Sequence, residues 1–112
     1  MKASDLKKLR QRDDHCWDCG EVDDLVPHHR ANRGHGGYKS ADNFQNVIMV
    51  CAYYNGLMES DAKVAEEARQ LGHKISKFID PSVPVFDKAM QAWFYLDKEG
   101  GKVKTEPPEQ FF

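Results

Sequence analysis

Cysteine spacing constrains this chain more than any other feature. Cys16 and Cys19 stand three apart in the tight CWDCG segment, and the only other cysteine, Cys51, closes the run NVIMVC after 31 intervening residues. A pair three apart, closed by a glycine, is half of a zinc knuckle. A structural zinc takes four ligands. Cys51 should open the second half, but the residue three further on is Tyr54. The fourth place then falls to a distant side chain such as His73, to water, or to no group at all. His15 is a poor candidate because it adjoins Cys16. The competing reading is three reduced, buried thiols that pack as small hydrophobes. The spacing leaves both open. Three cysteines with no export signal disfavour a disulfide framework.

At 112 residues the chain makes one domain. A core of that size gains from a structural metal. With 30% charged and 11% aromatic residues it is globular rather than disordered. It contains no apolar run of about 18 residues and no signal-peptide core, so we expect a soluble, cytoplasmic protein with no membrane partner. The net charge of −2 hides an uneven pattern. Residues 1–12 carry Lys2, Lys7, Lys8, Arg10 and Arg12 against Asp5. Residues 13–26 carry six acids and no Lys or Arg, and residues 27–40 carry Arg30, Arg33 and Lys39 with no acid. Any nucleic-acid surface is therefore local: the N-terminal segment plus the loop around residue 30.

The elements follow from pattern. SDLKKLRQR predicts a short basic helix with Ser4 as its cap. LVPHHR predicts a short strand, because Pro27 holds Val26 extended. ANRGHGGYKSADNFQ is a glycine-rich loop. NVIMVC is the strongest buried-strand signal. NGLMESDAKVAEEARQLG predicts one helix that Asn55 opens and Gly72 stops. HKISKFIDPSVPVFD is irregular, FDKAMQAWFYLD fits helix or strand, and KEGGKVKTEPPEQFF reads as a turn and a tail. Trp17, Trp93 and Phe94 are expected in the core.

His28 and His29 stand side by side at the end of the first strand. Neighbouring strand residues point to opposite faces, so one shared metal site is not the obvious reading. Two jobs are. One imidazole, with the Asn55 amide, suits a hard divalent ion such as Mg²⁺. The other is free to deprotonate a water, provided its second nitrogen is held, here by Asn46. Arg30, Asn32 and Arg33 among Gly34, Gly36 and Gly37 suit phosphate, and Lys7, Lys8 and Arg10 are candidate DNA contacts. Glu59 is either an extra metal contact or a partner of the helix dipole.

The ordered series CWDCG, LVPHHRANRGHGG, NVIMVCAYYNGLMESDA and ARQLGHKIS resembles the HNH endonuclease family, and more narrowly small bacteriophage HNH proteins. The likeness covers residues 16 to about 76. It implies an α+β fold around a ββα-metal (His-Me finger) core over residues 15–76, a basic helical arm over 1–14 and a C-terminal extension over 77–112. By that resemblance His29 is the general base, His28 and Asn55 hold a divalent ion, Asn46 is the middle motif residue, and Cys16, Cys19 and Cys51 bear a structural zinc that Tyr54 leaves one ligand short. The implied activity is metal-dependent cleavage or nicking of double-stranded DNA in a phage-infected host cytoplasm, with genome packaging beside a terminase as a further analogy. The alternatives are a non-catalytic ββα module that binds DNA or protein, and a plain zinc-knuckle interaction domain.

Overall fold

The computed structural model describes residues 1–31 and 42–108. Helix α1 (Ala3–Arg12) precedes an antiparallel pair, β1 (Leu25–His29) and β2 (Val47–Cys51). Two helices follow, α2 (Ala52–Ser60) and α3 (Ala62–Gln70). A second antiparallel sheet then runs in the order β3 (Val85–Asp87), β4 (Ala92–Leu96), β5 (Lys102–Thr105). The protein is thus a small α+β fold with two antiparallel sheets. Among the described residues no helix is long and apolar enough to cross a membrane.

Strand β2 is the centre, and all five of its residues are buried. Val47 and Met49 pack on Leu9 of α1, flanked by Leu6 and Phe44. Ile48 and Val50 pack in the larger cluster with Trp17, Tyr54, Met58, Ala68, Phe94 and Leu96. A strand covered on both faces needs apolar residues at every position, which is why NVIMVC does not alternate. Trp17 meets Phe94 edge to face, centroids 5.8 Å apart, and seats the second sheet against the knuckle. Both are core residues, as expected; Trp93 is half-buried beside Phe86.

Three expectations are corrected and one left open is decided. The basic helix forms, but its cap is Lys2, whose N–H donates to the Asp5 carboxylate at 3.3 Å. It is packed on β2 through Leu9. Arg12 is buried, paired to Asp13 at 2.8 Å, and donates to the carbonyls of Phe44 (2.6 Å) and Val47 (2.8 Å). The single helix expected from Asn55 to Gly72 starts earlier, at Ala52, and is broken at Asp61. That residue is extended (φ −124°, ψ 112°), and its carboxylate caps α3 by accepting from Lys63 and Val64 N–H. The segment FDKAMQAWFYLD, which fitted helix or strand, is a strand hairpin. Asp87 accepts from Met90 N–H at the turn, and the aromatic run AWFYL favours strand.

The third correction concerns Arg30. Its side chain does not reach outward for phosphate; the residue is 1% exposed. Nε donates to Gly72 O (2.8 Å), Nη1 to Gln45 O (2.8 Å) and Pro81 O (2.9 Å), and Nη2 to Val83 O (2.9 Å) and Pro84 O (3.4 Å). Burial pushes its pKa down to about 9, which leaves it charged at neutral pH. Arg30→Met is expected to strand these carbonyls and destabilise the protein by roughly 3 kcal/mol or more, read from urea denaturation midpoints. An unchanged midpoint would return Arg30 to an outward, ligand-gripping role.

Candidate functional site

The hairpin register sets the histidine pair. His28 faces Ile48 and His29 faces Val47 across the ladder, at the open end of β1 and β2. Because side chains alternate, His28 turns toward the helices and His29 toward the α1 side, near Leu6 and Pro27. Cys51 ends β2 and caps α2 with no intervening loop. Asn55 therefore lies one turn into α2 and returns over β1.

His28 is buried. Its Nε2 lies 2.8 Å from the His73 carbonyl. A carbonyl only accepts, so Nε2 carries the proton and Nδ1 is bare. Nδ1 faces the Asn55 side-chain oxygen at 3.2 Å. Two lone-pair donors converge there, an arrangement that suits a cation. Burial pushes the His28 pKa down to about 4, so the ring is neutral at pH 7, as a metal ligand must be.

His29 is half-exposed, and its Nε2 lies 2.5 Å from Asp42 Oδ1. The carboxylate accepts that proton, which leaves Nδ1 as the basic nitrogen. The expected holder of this ring was Asn46. Instead, Asn46 Oδ1 accepts from Ala31 N–H (2.8 Å), its Nδ2 donates to Ala31 O (3.1 Å), and its own carbonyl accepts from Arg30 N–H (2.7 Å). Asn46 fastens the chain leaving β1, and Asp42 aims the imidazole. Asp42 was not singled out from sequence, because an acid in SADNF reads as a turn former.

The three thiols converge as their spacing suggested. The sulfurs of Cys16, Cys19 and Cys51 all lie within 4.8 Å of one another, and Cys19 Sγ is 3.7 Å from Cys51 Sγ. Cys16 Sγ accepts from Asp18 N–H and Cys51 Sγ from Tyr54 N–H, so each knuckle half points backbone donors at its sulfur. The donor set could hold a metal such as zinc. Cys19 is exposed, which leaves a route for a fourth, solvent-derived ligand. His73 does not complete the set. It is fully buried; its Nδ1 accepts from the Tyr54 hydroxyl (2.6 Å) and its Nε2 donates to Phe86 O (2.7 Å).

The remaining candidates scatter. Lys7, Lys8 and Arg10 are exposed on α1, with Lys8 Nζ 5.5 Å over the Phe44 ring. Glu59 lies 4.0 Å from Lys74 Nζ. Asn32 and Arg33, with Gly34, Gly36 and Gly37, lie outside the described residues. No protein-family model, curated protein or solved structure matches this chain.

Burial pushes the His73 pKa down to about 3. Its folded value is therefore below its unfolded value near 6.5. Between those values the unfolded chain binds the extra proton, so stability is full above pH 6.5 and falls as the pH drops toward 3. The slope is about 1.4 kcal/mol per pH unit for this one group. Urea melts of metal-free protein between pH 5 and 7 should show a shallower fall for His73→Gln than for wild type. Equal slopes would show that His73 is not held neutral.

Proposed function

We propose that this chain is a metal-dependent endonuclease of the HNH kind, which hydrolyses DNA phosphodiesters. The observation that carries the reading is the division of labour across two consecutive residues. His28 has a bare nitrogen beside an amide oxygen, and His29 has a carboxylate-backed ring. In this reading His28 and Asn55 hold a divalent ion such as Mg²⁺, with water and phosphate oxygens filling its shell. The ion's contribution is to offset charge on the phosphate and on the departing 3′ oxygen. His29 Nδ1 takes a proton from a water as that water's oxygen bonds to phosphorus and the P–O3′ bond breaks, and the departing 3′ oxygen takes a proton from solvent. Asp42 fixes the tautomer that leaves Nδ1 basic. One such site cuts one strand, so nicking precedes any double-strand break. The resemblance to phage proteins extends the proposal to a phage-encoded enzyme of the host cytoplasm that works beside a terminase.

Supercoiled plasmid with Mg²⁺ or Mn²⁺ is expected to convert to open circle, and EDTA to abolish the conversion. His29→Ala should lose about 10²–10⁴-fold in rate. Asp42→Asn should lose about 10–100-fold, because the partner that orients the ring is gone. DNA binding without cutting under any of these metals would leave only a non-catalytic ββα module.

We further propose that Cys16, Cys19 and Cys51 hold one structural zinc, its fourth place open to solvent. A colorimetric zinc assay on the purified protein should find one equivalent, and Cys51→Ser should lose it together with thermal stability. Zinc-free protein that melts at the same temperature would favour three packed thiols instead.

A further inference from the structure

A cleft of about 690 Å³ lies between α3 and the segment after it. Arg69, Lys74, Ser76 and Lys77 line it, with Glu66 at one edge and Arg30 beneath. The cleft adjoins the histidine strand through the backbone. Ile75 N–H donates to Arg30 O at 2.8 Å, and Ala31 bridges Ile75, so its floor is the chain immediately after His29.

Its charge is unbalanced. Arg30 is buried and meets only carbonyl groups, so no carboxylate among the described residues neutralises it. A buried charge in a low-dielectric wall projects its field into the open space above it. Glu66, the acid that lines the cleft, pairs with Arg69 at 3.1 Å with both side chains exposed, and an exposed pair of this kind contributes little and yields readily to a stronger anion. Glu59 stands 4.0 Å from Lys74, whose side chain is 14% exposed. Ser76 adds a hydroxyl to the same wall.

A second, independent feature adjoins the cleft. Phe78 is 86% exposed, and Lys77 Nζ sits 5.3 Å over its ring. An exposed phenylalanine next to a basic groove buries nothing in this fold. Aromatic faces beside tracks of cationic side chains are how proteins hold unpaired bases.

We propose that this cleft binds a single-stranded flank of DNA, with phosphates against Lys74, Lys77 and Arg69 and an unpaired base stacked on Phe78. The inference rests on the nuclease reading for the choice of DNA, and it adds to that reading a preference for substrates with an unpaired strand beside the cut, such as flaps, overhangs or frayed ends. A duplex offers no free base face, so the aromatic contributes only where the strand is open.

The test is fluorescence anisotropy in EDTA, where no cleavage occurs, with labelled DNA of about 12 nucleotides, single-stranded or duplex. Phe78→Ala is expected to weaken single-strand binding about tenfold and leave duplex binding little changed. Lys74→Gln with Lys77→Gln should reduce the magnitude of the single-strand salt slope by about 1.4, two phosphate contacts at about 0.7 each. Phe78 is at the surface, so its loss should not disturb the fold, and circular dichroism of each variant checks this. Wild-type affinity in both variants would overturn the proposal, as would an equal loss for duplex in Phe78→Ala. The plasmid assay reads the other claim separately. Cutting with no effect at Phe78 removes the cleft and keeps the nuclease; the expected binding pattern without cutting removes the nuclease and keeps the cleft.

Discussion

One buried cation organises this molecule. The Arg30 guanidinium collects carbonyls from three separate places: Gln45 just before β2, Gly72 just after α3, and Pro81, Val83 and Pro84 in the connection to β3. A planar fork with five donors can satisfy carbonyls from several directions at once, and a lysine cannot. The segment from 73 to 84 has no regular structure of its own before β3, so its backbone needs partners from elsewhere. Arg30 supplies them. Because Arg30 directly follows His29, this fastening also fixes the end of the histidine strand. The chemistry of the site and the packing of an irregular connection thus share one residue.

The two histidine environments differ because β1 has different neighbours on its two faces. On the helix side His28 is sealed by α2 and by the His73 carbonyl, and burial keeps its ring neutral, with the one proton on Nε2. On the α1 side His29 stays half-exposed beside Asp42. A metal ligand must be neutral and held still; a base must reach water and have one nitrogen free. Strand alternation gives two adjacent imidazoles these opposite environments, which are the ones that the proposed metal-ligand and base roles require.

What was legible in the sequence was what local pattern encodes. NVIMVC announces a strand buried on both faces, and the cysteine spacing announces a cluster that the fold does bring together. Leu6 and Leu9 mark the packed side of α1. What was not legible depends on partners distant in the chain. Arg30 sits after HH and before a glycine-rich loop, where an arginine reads as a grip for phosphate. Only the folded positions of Gly72 and residues 81–84 reveal it as a buried clamp. Asp42 carries no pattern at all until β1 and β2 pair and set it against His29. Asp61 hid a helix break because Leu57, Ala62, Ala65, Ala68 and Leu71 keep approximate helical spacing across it; the break shows only in the carboxylate that caps α3.

Tyr54 stands where a fourth thiol would complete the cysteine spacing. A cysteine there would close the knuckle. The tyrosine keeps the knuckle's backbone donor, its own N–H to Cys51 Sγ, and sends its hydroxyl to His73 Nδ1 instead. That bond fixes the His73 tautomer, so that Nε2 donates to Phe86 O and ties β3 to the end of α3. The His73 carbonyl in turn accepts the proton of His28 Nε2 and leaves Nδ1 bare. Tyr54 thus touches both Cys51 and His73, and the backbone of His73 in turn meets His28. A cysteine at position 54 would remove the hydroxyl from which His73 Nδ1 accepts. The thiol cluster and the His28–Asn55 pair therefore share a scaffold.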